Sequence, residues 1–438
     1  MKTIALALRN LLRNRRRSLT TLLAMIIGAS AILLFGGYSR NISYGLQTGF
    51  VQRSGHLQIQ HKDFFLYGSG NPAAYGIADY QRVIDVVKQD AVLAPMLTVV
   101  TPTLQISGIA GNFAAGVSRT VVGGGTVVAE QNRMREWNDY HFPLSWKPMA
   151  LTGTSPESAV VGVGVARVLQ LCAPLKVANC PQPQKKQEAV KPSAPDDIAA
   201  LSALEASAQP GGGDTRVEML AASVKGAPNV AGLNVVKAET QGMKEFDDIY
   251  IGLHLAQAQK LIYGSAPPQA TAIVLQLQHT SQIPTARARL EQLLATDFKD
   301  RELGIQDFAK LNPMYGQSIA MFSTIFGFIS LLIGSIVLFT VGNTMSMAVV
   351  ERTVEIGTLR AMGLRRGGIR RLFVCEGLLL GVIGATLGVL ISIGLSVAIN
   401  HSGLTWTPPG YVVAVPLNIY VWGENGLIVG CALGLVLV

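Results

Sequence analysis

The side chains in this sequence that could do chemistry crowd into one short stretch, V-V-E-R-T-V-E-I-G-T-L-R-A-M-G-L-R-R-G-G-I-R-R-L-F, Val349–Phe373. Arg352, Arg360, Arg365, Arg366, Arg370 and Arg371 stand there against Glu351 and Glu355. Guanidinium and carboxylate groups at this density suit charge-assisted recognition. The stretch lies between two long apolar runs, one ending at Val350 and the other starting near Leu378. So charged a segment cannot lie in hydrocarbon, and it is too short to fold alone. It must sit at a membrane surface and touch something there.

Other chemistries are excluded by what these 438 residues lack. No G-x-x-x-x-G-K-[ST] is present, so the chain is expected to bind no nucleotide in a P-loop. Gly162-Val163-Gly164 opens a dinucleotide-like run, but Arg167 stands where the third glycine belongs. There is no H-E-x-x-H and no G-x-S-x-G, which leaves no motif for a metalloprotease or a serine hydrolase. The six histidines are scattered, and His56 and His61 at the ends of a strand read as structural or solvated. No metal or cofactor is therefore expected in this chain. The spans hold almost no ionisable groups beyond Glu376 and Glu424 at their edges. A proton or ion pathway normally leaves carboxylates inside the membrane, so secondary transport is not expected.

The elements that position the basic stretch follow from hydropathy. Charged residues are 14% of the chain and mean hydropathy is +0.35, as membrane spans plus an external domain would give. The net charge of +9 gathers in the N-terminal tail and the Val349–Phe373 stretch. Basic residues hugging spans read as positive-inside anchoring, and nucleic-acid binding is not expected. Residues 1–17 form an amphipathic helix, with Ile4, Leu8, Leu11 and Leu12 on one face and Arg9, Arg13 and Arg16 on another; it suits the lipid headgroup layer. Residues 18–40 are the first span, kept as an uncleaved span because the apolar run outlasts a signal peptide's core.

Residues 41–315 alternate short strands and helices as an α+β domain. Leu57 and Ile59 share the buried face of a strand, and Asp79 caps a helix carrying Val83, Ile84 and Val87. A Pro-rich insertion spans about 181–214, an exposed loop tip. Cys172 and Cys180 sit close enough to close a loop or to remain two free thiols; Cys375 and Cys431 fall in apolar spans.

Residues 316–350 are a second span. As a helix its uncharged run from Gln317 measures roughly 50 Å, well beyond a hydrocarbon core of about 30 Å. After the basic stretch (351–373), residues 374–399 form a third span, with Gly377, Gly381, Gly384 and Gly388 as a close-packing face. Residues 400–426 are an outer loop with an aromatic belt. At 427–438 a fourth span starts, its Gly426, Gly430 and Gly434 continuing the glycine pattern. It stops too early to cross, so the sequence reads as lacking its end. The arginines put the N-terminus and the basic stretch in the cytoplasm and the 41–315 domain outside the inner membrane.

R-N-L-L-R-N-R-R-R-S-L-T-T-L-L (Arg9–Leu23), G-H-L-Q-I-Q (Gly55–Gln60) and V-E-R-T-V-E-I-G-T-L-R-A-M-G (Val350–Gly363) resemble the FtsX/MacB superfamily of ABC permeases. The LolC/LolE-like lipoprotein-releasing branch is the nearest in pattern. The resemblance implies four spans, a periplasmic domain of porter-like and sabre-like lobes between the first two, and a permease dimer with a second copy or paralogue. It implies a partner ATPase dimer that holds ATP and magnesium, and a coupling helix between the second and third spans seated on that ATPase. Under it Glu355, Ile356, Leu359, Arg360, Ala361, Met362 and Gly363 match the coupling segment. Leu359 and Met362 become apolar knobs, Glu351, Arg352 and Arg360 make charge-assisted contacts to the ATPase, and Gly363 ends the helix in a left-handed cap. The implied work is mechanotransmission: ATP-driven motion extracts a lipoprotein or other amphiphile on the periplasmic side, with membrane lipid, a periplasmic adaptor or a lipoprotein carrier as further partners. A MacB-like tripartite efflux permease and an FtsX-like signalling scaffold without transport are the alternatives.

Overall fold

The structure, a computed structural model, describes residues 2–13, 15–68, 70–142, 146–180, 215–224, 226–407 and 414–421. The Pro-rich insertion, Tyr411 and Trp422 of the expected outer-loop aromatic belt and the fourth span with Gly426, Gly430 and Gly434 lie outside them. The chain divides into two compact units, residues 1–46, 314–406 and 415–438 in one and 47–313 and 407–414 in the other.

The first unit is helical. Among the described residues, three helices are long and apolar enough to cross a membrane: Ser18–Ser54, Pro313–Glu351 and Arg366–His401. The first of them belongs to a helix of 40 residues, Arg15–Ser54, preceded by the short helix Lys2–Arg13. The expected end of this element near residue 40 is corrected: no proline interrupts Asn41–Ser54, and the helix stops only where Gly55 takes φ +69°, a conformation open to glycine and strained for other residues. At about 1.5 Å per residue this helix spans about 60 Å, so the first helix as well as the second is longer than a hydrocarbon core.

The glycine face of the third long helix packs on the first. A Cβ at Gly384 would lie 2.7 Å from Met25 Cβ, and one at Gly388 would lie 2.8 Å from Ala29 Cβ and 3.2 Å from the Ile26 carbonyl. Ser30 Oγ donates to the Gly388 carbonyl at 3.0 Å. Gly381 is buried on the same face, while a Cβ at Gly377 would meet Met345 at 3.7 Å. Because backbones this close have no slack, Gly388→Val is expected to cost about 1–3 kcal/mol through overpacking. Gly394→Val, which meets nothing within 4 Å, should be silent. Thermal unfolding in detergent compares the two.

The larger unit is a mixed sheet with helices on its faces. Its strands are β1 (Leu57–His61), β2 (Leu97–Asn112), β3 (Val117–Thr126), β4 (Ser158–Gly162), β5 (Arg216–Ala222), β6 (Pro228–Glu239), β7 (Tyr250–His254), β8 (Ala272–Leu277) and β9 (Leu303–Asp307). They follow the order β3-β7-β4-β6-β5-β2-β8-β1-β9, and β3 pairs β2 again. Six strands therefore close on themselves, and β2 carries on into a four-stranded sheet with β8, β1 and β9. Two hydrophobic cores result. One fills the closed ring around Leu104, Val121, Val161, Leu233 and Ile251. The other lies under the helices Tyr80–Gln89 and Ile283–Asp297, where Leu57 and Ile59 meet Val83, Ile84, Val87, Ile273 and Leu290. Asp79 sits at the start of the first of those helices, but its side chain makes no cap hydrogen bond; the carboxylate pairs with Arg301 instead. Cys172 and Cys180 form a disulfide with Cα atoms 6.2 Å apart.

His56 locks the start of β1. Its ring is buried, with Nδ1 accepting the Leu277 N–H at 3.0 Å and Nε2 3.2 Å from Thr280 Oγ1. Since Nδ1 accepts, the proton is assigned to Nε2, which donates to Thr280. Trp137 packs edge-on at 4.9 Å between centroids. Burial pushes the His56 pKa down from 6.5 to about 4. Below pH 6.5 the unfolded chain takes up a proton that the folded site refuses. The contribution is therefore complete above pH 6.5 and falls by about 3 kcal/mol as pH drops to about 4. Unfolding of this unit measured across that window should show the slope, and His56→Gln should flatten it.

Candidate functional site

The basic stretch folds as a break, a short helix and a turn. The second long helix ends at Glu351, Arg352 occupies the break with φ −97° and ψ 16°, and a helix runs Thr353–Ala361. Met362 closes that helix, and Gly363 at φ +93° reverses the chain. The Gly363 N–H bonds the Arg360 carbonyl at 3.0 Å and the Leu364 N–H bonds the Leu359 carbonyl at 3.0 Å. Those two bonds are a Schellman cap, and only glycine takes that φ without strain. The third long helix begins directly afterwards at Arg366.

Arg352 does not reach outward. The residue is 8% exposed, and its Nη1 donates to both carboxylate oxygens of Glu376, at 2.9 and 3.2 Å. Glu376, itself 2% exposed, also accepts from Asn10 Nδ2 at 2.7 Å. One buried carboxylate thus ties together the N-terminal helix, the break after the second long helix and the third long helix. The expectation of Arg352 as an outward contact is corrected: a buried guanidinium is far more stable paired with a buried carboxylate than either group is alone. A second tie is at the surface, where Arg13 pairs with Glu355. Both groups are about half exposed, so this pair contributes at most about 1 kcal/mol.

The outward face is apolar with basic edges. Val354 is 81% exposed and Met362 76% exposed, with Leu364 beside them, while Leu359 and Ile356 are half-buried. Arg360, Arg365, Arg366, Arg370 and Arg371 are exposed around these residues, as are Glu355 and Ala361. Glu351 is exposed and engaged within the chain. Sequence reading singled out Leu359 and Met362 and passed over Val354. The signal for Val354 was present: it is an apolar residue eight positions, just over two helical turns, before Met362.

Away from this site, His61, Asp63 and Glu302 bring ligand-capable atoms within 4.8 Å of one another. Both carboxylates are exposed, and His61 Nδ1 already accepts the Asp63 backbone N–H at 3.2 Å, so the group behaves as a surface pairing.

Residues 324–438 match the family model of the FtsX-like permease C-terminal domain. That match takes in the second long helix from Thr324 onward, the Arg352 junction and the third long helix. The ABC transporter permease YtrF of Bacillus subtilis (strain 168) is 43% identical over 74 residues, 17% of this chain and 16% of that protein. The macrolide export ATP-binding/permease protein MacB of Hyphomonas neptunium is 29% identical over 214 residues, 48% of this chain and 31% of its own length. MacB 1/2 of Paracoccus denitrificans is 33% identical over 155 residues, 34% and 22% respectively. The chain spans less than a third of the length of these curated relatives. The similarities support the FtsX/MacB superfamily of ABC permeases and a membrane setting for the apolar helices.

Proposed function

We propose that this chain is the permease subunit of a mechanotransmission ABC transporter, driven by a separate ATPase subunit that binds ATP and magnesium. The observation that carries the reading is the junction at Arg352. An exposed helix with an apolar, basic-edged face is tied through a buried Arg352–Glu376–Asn10 cluster to the helices on either side. A push on Val354 and Met362 would move all three helices together instead of bending a loop. In this reading the N-terminus and residues 351–373 face the cytoplasm, where positive charge favours them, and the larger unit lies in the periplasm, where a Cys172–Cys180 disulfide persists. Overlong first and second helices would then carry motion to that unit. The second long helix exposes Phe328, Leu331, Ile336 and Phe339, surfaces for lipid or a second permease copy.

The cargo in this reading is a lipoprotein or other amphiphile, as in the LolC/LolE-like branch. Export of a drug-like substrate through a periplasmic adaptor is the second reading, favoured by likeness to proteins named for macrolide export. Co-purification of the full chain with its ATPase, reconstitution in lipid and an ATPase assay separate them. Stimulation by a lipidated protein supports the first reading and stimulation by a macrolide the second. Basal rates unchanged by either, or no associated ATPase, would overturn both.

A further inference from the structure

The four-stranded sheet of the larger unit has one face in a hydrophobic core and the other face polar, yet mostly shielded from solvent. On that second face, carried on to β3 of the closed ring, the register aligns Gln60 with Ala272, Ala272 with Thr103 and Thr103 with Thr126, across β1, β8, β2 and β3. The next row aligns Gln58 with Val274 and Val274 with Thr101. Ala272 is the small residue in the middle of the first row, and β3 presents Gly123 and Gly124 beside it. The result is a cavity of about 230 Å³, below the roughly 300 Å³ at which drug-sized sites begin and room for about seven waters at about 30 Å³ each.

Its hydrogen bonding is incomplete. Gln58 Nε2 donates to the Ser54 carbonyl at 2.8 Å, which fixes that amide's orientation and turns its Oε1 toward Gln60 Nε2 at 2.7 Å. Gln131 Nε2 is used on the Gln52 carbonyl at 2.9 Å, and Thr103 Oγ1 on the Gly125 carbonyl at 3.2 Å. Gln58, Gln60 and Gln131 each aim one amide N–H at the protein, whereas Gln60 Oε1, Thr101 Oγ1 and Thr126 Oγ1 have no partner. Gln60 and Thr101 are each 4% exposed. Buried polar atoms are costly to leave unpaired, so an amide oxygen and two hydroxyls on one cavity wall ask for a ligand that both donates and accepts hydrogen bonds. No Asp or Glu lines the cavity, and Arg53 does, which disfavours a cation or an amine as the donor.

We propose that this cavity is a binding site for a neutral polyhydroxylated ligand of monosaccharide size, whether free or the end of a glycan. A pyranose replaces the water cluster, gives O–H donors to Gln60 Oε1 and accepts from the Thr101 and Thr126 hydroxyls. Phe64 at the margin offers an apolar surface for the ring's C–H face. The site stands apart from the coupling reading, since it involves neither the Arg352 junction nor an ATPase.

The test uses the full chain in a zwitterionic detergent without a sugar headgroup, titrated calorimetrically with glucose, with N-acetylglucosamine and with glycerol at millimolar concentrations. A saturable heat for one of the monosaccharides, weakened about tenfold in Thr101→Val and again in Thr126→Val, is the expected result. Each variant's unfolding temperature is measured alongside, and a free-glycan end group is compared with the monosaccharide to separate the two sources. Absence of saturable binding to the unaltered chain would overturn the proposal. So would equal binding by acetamide or ethylammonium, or affinities unmoved in both folded valine variants.

Discussion

Replacing Val354 and Met362 together by Glu is expected to abolish stimulation of the partner ATPase while the chain still inserts and folds. Both side chains are exposed, so the change removes little from the chain's own packing. If the two face an ATPase, burying them contributes about 1.5–3 kcal/mol each. Two carboxylates in their place add desolvation on top. An affinity loss of at least about a hundredfold follows from about 3 kcal/mol, seen as loss of co-purification and a basal ATPase rate. Leu359→Glu with Arg360→Glu should uncouple as well, but Leu359 is half-buried, so part of its effect will be on the chain itself. The Val354/Met362 pair is the cleaner probe.

The second large effect is expected at Arg352. Arg352→Met leaves Glu376 buried with only Asn10 to satisfy it. Removing one partner of a buried ion pair costs about 3–5 kcal/mol, whereas replacing both by apolar residues of similar volume is often nearly neutral. The single variant should therefore unfold or misassemble its helical unit at a clearly lower temperature. Arg352→Met with Glu376→Leu should recover most of that loss. The recovered protein then separates stability from transmission. If the cluster carries motion from the short helix to the long ones, the double variant is stable yet poorly coupled, with ATPase activity no longer responsive to cargo.

How much of this was legible depended on the range of the interaction. The long apolar runs, the basic stretch between them and the glycine face at Gly384 and Gly388 are local patterns, written at helical spacing. So is β1, where Leu57 and Ile59 alternate with Gln58 and Gln60. The Arg352–Glu376–Asn10 cluster was not legible. Asn10 and Glu376 are 366 positions apart, and nothing at either position announces the other. Arg352 read as a surface arginine because its neighbours are. The continuation of the first helix to Ser54 was hidden by polar composition, since Asn41, Gln47 and Thr48 suggest a solvated domain and are in fact buried. The β5–β6 hairpin follows the Pro-rich insertion, and its alternation at Val217, Met219 and Ala221 was readable but passed over. Closure of six strands through the β2–β3 pairing depends on β2 being long enough to serve two sheets, which strand propensity alone does not tell.

The most direct measurement places a photo-crosslinking side chain at Met362 in the full chain, in cells that carry its ATPase, and identifies the captured protein. A cross-link to an ATP-binding subunit, lost in the Val354→Glu background and absent from the same probe placed at Phe113 of the larger unit, is the expected result. Capture of lipid alone, or of the same protein from Phe113, would contradict a coupling role for the Thr353–Ala361 helix.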